Sequence, residues 1–289
     1  MPSEDIALDH VAVAVEAWGE AWPRYVVELG GEWASGGLNV GFGPAQLRFA
    51  NGARLEILQP WQTEANPFLR RFLDRDGRGP HHLTFKVPDI RRALADAEAA
   101  GFTPVSVDLS DPGWKEAFLH PRQAGGIVVQ LAQAAGSWEA PPPEGFPIER
   151  PPEPAALLRA THAVADLDAA LALYAGLLGG RVEHHHSSGP SSWRAATVRW
   201  TGPLALRLVA PTSGDMELLA WLGGRPGRLH HLVVAQPGVA TRTPSAPNHV
   251  PGVLAGEQVR TVIEPDANLG TRLVVVDLGT ATGGVGDAR

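Results

Sequence analysis

The sequence predicts an α+β fold built from four strand–helix–three-strand units in two pairs. Three observations predict it. A short alternating segment that carries histidine recurs, first as Asp9-His10-Val11-Ala12-Val13-Ala14-Val15 and again as His81-His82-Leu83-Thr84-Phe85-Lys86-Val87. A helical stretch closed by glycine follows each copy, and three further strand candidates follow each helix. After a proline-rich segment the order begins again, with Ala160-Thr161-His162-Ala163-Val164 and later Leu229-His230-His231-Leu232-Val233 in the opening positions.

Each element has a local reason. In residues 7–15, Val11, Val13 and Val15 share one face, and His10, Ala12 and Ala14 share the other, because side chains alternate along a strand. The helical stretch at 18–29 stops at Gly30-Gly31. Strands are expected at 32–34, 46–50 and 54–58, with Asn51-Gly52 as a hairpin signal between the last two. A strand at 82–87 precedes a helix at 90–100 closed by Gly101, then strands at 103–108, 115–119 and 126–132. In the second half a helix is expected at 166–178, with Leu167, Leu171, Tyr174 and Leu178 on one stripe. Strands follow at 181–185, 194–200, 204–209, 229–233 and 272–278. The expected division is a first domain at 5–134, a proline-rich linker at 135–155, a second domain at 156–280 and a loose tail at 281–289.

Composition narrows the class. Of 289 residues, 44% are apolar and 19% charged, enough apolar content for a full-sized core. The net charge of −7, without any Lys/Arg run, gives no electrostatic support for nucleic-acid binding. The absence of cysteine excludes disulfides and thiolate chemistry. No apolar run approaches the roughly 20 residues of a membrane span, and the acidic start lacks a signal-peptide pattern. The expectation is a cytoplasmic protein that acts on a small molecule, without nucleic-acid or membrane partners, as a monomer or homodimer.

Four polar residues stand out by parity. His10 and His82 lie opposite valine- or leucine-bearing faces. Glu56 interrupts Arg54-Leu55-Glu56-Ile57-Leu58, and Gln130 interrupts Ile127-Val128-Val129-Gln130-Leu131. A buried carboxylate costs several kcal/mol unless it is paired or bound to metal. Two imidazoles, a carboxylate and an amide oxygen on strand faces suit one divalent ion such as Zn, Co, Ni, Mn or Fe(II). By the same parity Arg48, Arg54, Thr84 and Lys86 are candidates to line a substrate cavity, with His120 beside them; the cations would favour an anionic substrate. His184-His185-His186 is expected to be a surface turn, since three adjacent strand residues cannot face one ion.

The first half resembles the vicinal oxygen chelate superfamily of glyoxalase I, bleomycin-resistance proteins and extradiol dioxygenases, and most of all its methylmalonyl-CoA-epimerase-like branch. The resemblance rests on LDHVAVAV, ARLEILQPW, FLRRFLDRDGRGPHHLTFKVPDI and FLHPRQAGGIVVQLAQ, and spans nearly all of residues 7–133. It implies cupped mixed sheets, each made of two βαβββ units, and His10, Glu56, His82 and Gln130 as ligands of one divalent metal. His82 is preferred over His81 because its spacing to the following apolar residues matches His10. The family's last-strand ligand is usually glutamate, where this chain has Gln130. The stretch corresponding to the epimerase's mobile catalytic glutamate, Leu38-Asn39-Val40-Gly41, has no carboxylate. The implied activity is that of a metal-dependent glyoxalase- or epimerase-like enzyme. It would act on a small carbonyl or acyl-thioester, with Glu56 the carboxylate able to serve as base.

In the second half the corresponding residues are read as His162, Arg207, His231 and Asp277. Arg207 either pairs with Asp277 in place of a metal, or His162, His231 and Asp277 form the two-histidine, one-carboxylate triad of an Fe(II) enzyme. The second option makes the protein an extradiol-type dioxygenase. A metal-free protein that sequesters small molecules is the remaining alternative.

Overall fold

The computed structural model describes residues 5–136, 140–187, 193–212, 214–236, 250–251, 253–254 and 257–278. The first half contains β1 (Ala7–Ala14), α1 (Trp18–Trp22), β2 (Glu32–Gly36), β3 (Gly41–Arg48), β4 (Arg54–Trp61), α2 (Phe68–Asp76), β5 (Gly79–Lys86), α3 (Ile90–Ala99), β6 (Pro104–Asp108), β7 (Trp114–Leu119) and β8 (Val128–Ala134). The second contains β9 (Ala156–Val164), α4 (Leu167–Leu171), β10 (Arg181–Ser187), β11 (Trp193–Arg199), β12 (Ala205–Pro211), α5 (Met216–Leu222), β13 (Gly227–Ala235), β14 (Glu257–Ile263) and β15 (Leu273–Leu278). Each half forms one mixed sheet, in the order β2-β3-β4-β1-β5-β8-β7-β6 and β10-β11-β12-β9-β13-β15-β14.

The two sheets share one plan. The opening strands of two units meet antiparallel at the centre, β1 on β5 and β9 on β13. Each opening strand also pairs in parallel with the last strand of its own unit: β1 with β4, β5 with β8, β9 with β12 and β13 with β15. The first helix of each half carries a buried apolar stripe and then widens into a π-helical segment, Pro23–Glu28 after α1 and Ala172–Leu177 after α4. Asp89 caps α3 by accepting from the Arg91 and Arg92 N–H groups, and Asp166 caps α4 in the same way.

Three elements depart from the sequence reading. The helices α2 and α5 follow the last strand of units one and three, where only connections were expected. Their apolar residues, Leu69 and Leu73 in one and Leu218 and Leu222 in the other, close one end of each cup. β14 adds a strand beside β15. His184, His185 and His186, expected in a turn, lie on β10 with Thr197, Ala196 and Ala195 as backbone partners. In the fourth unit, most of the stretch between β13 and β14 falls outside the described residues, as does the tail at 281–289.

One continuous core joins the halves. The valine face of β1 and the Leu83 and Phe85 face of β5 pack with Tyr25 and Leu29 of the first half and with Tyr174, Trp200 and Leu206 of the second. The Phe85 ring lies 4.9 Å from that of Trp200 and 6.1 Å from that of Tyr174. Asn268 donates to the Tyr25 hydroxyl at 2.9 Å. The proline-rich segment is docked against the first half. Phe146 packs edge-on against Trp22 and Trp33, and the Trp33 indole donates to the Ala140 carbonyl at 2.7 Å.

Two glycine pairs set how near the halves come. A Cβ on Gly126 would sit 1.9 Å from the Gly227 carbonyl oxygen, and one on Gly270 would sit 1.8 Å from the Arg78 carbonyl oxygen. Both residues also have positive φ, 86° and 79°. Backbone meets backbone there, so no side-chain rotation can make room. Gly126→Ala is expected to destabilise the protein by at least about 2 kcal/mol in urea unfolding, from steric clash added to φ strain. Gly136→Ala, where nothing lies within 4 Å, should change it by less than about 1 kcal/mol.

Candidate metal centre

The antiparallel pairing of β1 with β5 places Ala12 opposite His82, and the parallel pairing of β1 with β4 places Ala12 beside Glu56. His10, Glu56 and His82 therefore point into the first cup, where all three are buried. One ligand atom from each lies within 4.8 Å of the other two. Both Nε2 atoms are 3.5 Å from Glu56 Oε2, and neither has a hydrogen-bond partner. Two buried imidazole nitrogens left bare around one carboxylate oxygen, with no thiolate present, are what a divalent cation of intermediate hardness requires. The residues present fit such an ion.

The neighbours orient this set. Asp9 Oδ2 lies 2.8 Å from His10 Nδ1. A carboxylate only accepts, so His10 keeps a proton on Nδ1, and Nε2 is the nitrogen that can give up its proton to face a cation. Asp9 is held in turn by Lys86 at 3.1 Å and Arg54 at 4.0 Å. Gln46 donates to Glu56 Oε1 at 3.3 Å. Beside His82, His81 Nδ1 lies 2.8 Å from His82 Nδ1, and the His81 ring sits against Phe72 at 4.6 Å.

Charge follows from these contacts. Burial opposes an imidazolium at His10, but the Glu56 and Asp9 carboxylates outweigh it and lift His10 to about 9. Burial would raise the Glu56 carboxyl; His10 above all, with help from His82 and Gln46, pulls it down to about 2. Burial, reinforced by His81 and His10 against the pull of Glu56, keeps His82 well below the ordinary imidazole range. Burial also disfavours charge at Asp9, yet His10, Lys86 and Arg54 hold it below the usual carboxylate range.

The other expected residues divide. Gln130 reaches the same face, but both ends of its amide are engaged. Its oxygen accepts the Thr84 hydroxyl at 2.6 Å, and its nitrogen donates to Glu116 Oε2 at 2.7 Å. Thr84 is thus fully buried beside the centre. Arg54 and Lys86 serve Asp9. Arg48 is an exposed partner of Glu32 at 3.2 Å and lines a separate surface cavity of about 220 Å³ with Gly30, Phe49 and Pro154. His120 is an exposed turn residue after β7, with Nδ1 accepting the Arg122 N–H, and is no wall of the enclosed site.

The alternative centre in the second half is not assembled. His162 faces the interface between the halves, where Nε2 bonds the Gly125 carbonyl at 2.7 Å and the ring packs on Tyr174. Asp277 pairs with Arg260, not with Arg207. Arg207 instead donates to Thr197 Oγ1 at 2.7 Å. Register explains both errors. Glu56 and Arg207 are the counterparts on the fourth strand, so the residue equivalent to His10 is Arg159, two before Thr161. Gln130 pairs with Thr84, two residues after His82, so its equivalent is Val274, which pairs with Val233, two residues after His231.

Sequence reasoning missed Asp9, Gln46 and Glu116. Strict alternation would send Asp9 to the face opposite His10. A register shift between Leu8 and His10 in the β1–β5 pairing turns it to the same side. Gln46 was legible, since it lies directly opposite Glu56 in the β3–β4 hairpin.

Fold and centre together define a tandem cupped-sheet protein of the vicinal oxygen chelate superfamily. The chain belongs to the glyoxalase-like domain family, whose model matches residues 8–178. It is 29% identical to human mitochondrial methylmalonyl-CoA epimerase over 132 residues, which are 44% of this chain and 73% of that protein. A 4-hydroxymandelate synthase variant from Streptomyces coelicolor superposes with a TM-score of 0.58 at 18% identity, over 81% of this chain and 71% of the other, and so shares the tandem fold. Methylmalonyl-CoA epimerase from Mycobacterium tuberculosis matches 47% of this chain and 94% of its own, at 24% identity and a TM-score of 0.41. No helix among the described residues is long and apolar enough to cross a membrane.

Two outcomes are expected of the centre. A cation that binds must displace the His10 proton, so affinity for Zn or Co should rise about tenfold per pH unit up to about pH 9, then level off. Calorimetric titration in buffers of different ionisation enthalpy will show the released proton. Asp9→Asn, which weakens the hold on the His10 tautomer, should reduce metal affinity about 10–100-fold without removing a ligand.

Proposed function

We propose that the first domain, residues 5–134, holds a divalent cation through His10, Glu56 and His82 and moves a proton at the carbon next to a substrate carbonyl. The substrate class is a small carbonyl compound or acyl-thioester. The observation that carries this reading is the pair of bare, buried Nε2 atoms on either side of the Glu56 carboxylate. The kinship with an epimerase supports it. A cation held there supplies Lewis acidity, withdrawing electron density from a substrate oxygen as the neighbouring C–H bond breaks.

The residues of the chain divide the remaining work. Glu56 is buried between two imidazoles and is committed to the cation. Proton transfer falls instead to Glu116 on β7, which is only partly buried, faces the cup and is positioned by Gln130 and by the Trp114 indole at 2.8 Å. The family's last-strand glutamate is an amide here, and the carboxylate stands one strand over, bonded to that amide. A base must reach the proton it removes, and Glu116, bonded to Gln130 on the cup face, is the partly exposed carboxylate of that face. Arg54 and Lys86, beside Asp9, give the cup a positive rim for an acidic substrate.

The test is exchange of the α-hydrogen of short acyl-CoA thioesters for deuterium, followed by mass spectrometry, with metal content measured in parallel. Wild-type protein is expected to carry one divalent ion per chain and to catalyse exchange. His82→Ala should lose both. Glu116→Gln should keep the metal and lose about 100-fold or more in exchange rate. Stoichiometric metal in His82→Ala would refute the ligand set, and undiminished exchange in Glu116→Gln would refute the base.

A further inference from the structure

The second cup carries buried hydrogen-bond donors that the first-domain centre does not use. Arg207 on β12, Thr161 on β9 and His231 on β13 are register partners across three adjacent strands. They form one row on the cup face, in the places that Glu56, Ala12 and His82 take in the first cup. Their exposures are 2%, 0% and 0%. Arg207 Nε, Thr161 Oγ1 and His231 Nε2 each lack a hydrogen-bond partner among the described residues. Buried polar atoms are ordinarily satisfied, so three unsatisfied ones in one row point to a ligand.

The hydrogen bonds around the row define its polarity. An Arg272 guanidinium N–H, which can only donate, lies 2.9 Å from His230 Nε2. His230 Nε2 therefore accepts, and its proton is on Nδ1. That proton is donated to His231 Nδ1 at 2.7 Å, so His231 carries its own on Nε2, facing the cup. Both imidazoles are neutral: burial, with Arg272 and Arg228, brings His230 down to about 3, and burial, with His230, Arg159 and Arg272, holds His231 well below the ordinary imidazole range. Arg207 Nε can only donate as well. The row thus offers two N–H donors and a hydroxyl, with a guanidinium where the first cup has the Glu56 carboxylate.

The charge balance agrees. Arg159 is neutralised by a two-pronged ion pair with Glu257. Arg207 has no ion pair among the described residues. Burial and Arg159 lower it, against Glu257, only to about 10, so it stays charged at neutral pH. One positive charge is left over. Apolar walls flank the row: Ala163, Val209, Leu218 and Leu222 on one side, Val233 and Val274 on the other.

We propose that the second cup binds a monocarboxylate with an apolar body, its carboxylate taken by Arg207, Thr161 and His231. A planar carboxylate accepts from a guanidinium edge and has lone pairs left for the other two donors. A cation is excluded by Arg207. This site stands whether or not the first cup binds metal.

The experiment is calorimetric titration of the full chain, in chelator, with acetate, butyrate, benzoate and inorganic phosphate, using benzamide as the uncharged control. Benzoate or butyrate should bind at least tenfold more tightly than benzamide or phosphate. Arg207→Met should weaken that binding tenfold or more, and His82→Ala should leave it unchanged. Should Arg207→Met not fold, Thr161→Val provides the same comparison with an expected loss of about threefold or more. Nitrogen-15 NMR should show the His231 proton on Nε2. Binding of none of the probes, equal binding of benzamide, sensitivity to His82→Ala alone, or a proton on His231 Nδ1 would each overturn the proposal.

Discussion

The antiparallel pairing of two opening strands at the middle of each sheet is the constraint on which the rest of the molecule depends. It joins two units edge to edge and brings residues from three strands into one row. In the first half that row reads Glu56, Ala12 and His82, with His10 two positions along. The opposite faces of the same strands carry Val11, Val13, Leu83 and Phe85 into the shared core. A one-residue slip would exchange the two sets, burying polar groups against apolar ones, so the core enforces the register of the site. The polar residues can remain inside a protein because the apolar residues between them fix where they point.

Much of the fold was legible because strand and helix periods are distinct. The valine alternation of β1, the glycine stops after the first helices and the return of the pattern after the proline-rich stretch each have a local physical cause. α2 and α5 escaped notice because they are short and lie where the repeat calls only for a connection. The centre of the first half was legible for the same reason as β1, since parity alone puts His10, Glu56 and His82 on one face. The second half was misread because parity has no memory of an offset. The strand pairings set Arg159 in the place of His10 and His162 in that of Val13, on the face that meets the other half. Asp9 shows that limit within a single dipeptide, where a strict two-residue period sends it away from His10 and a bulge brings it back.

Within one fold, what a cup can hold is decided by the proton inventory behind it. A carboxylate behind His10 holds a proton on Nδ1 and leaves Nε2 as the nitrogen that can turn to a cation. An arginine behind the His230–His231 pair leaves an N–H facing inward. Neither outcome follows from an imidazole by itself. It follows from the residue one bond further out, which a search for ligand types does not weigh.

The glycine contacts between the halves bear on how such a chain can change over time. Gly126 against Gly227 and Gly270 against Arg78 and Gly79 are the same kind of contact made in reciprocal order between the halves, as in an isologous pair of subunits. Two identical subunits meeting in this way must carry the same residue at every matching position, so a substitution in one cup is made in both. Joining the halves in one polypeptide lifts that obligation. The contact surface keeps its near-symmetry because backbone packing demands it. Meanwhile position 56 can be a glutamate while its counterpart, 207, is an arginine. Duplication here works as a release from symmetry, leaving one copy free to diverge while the other is held in place.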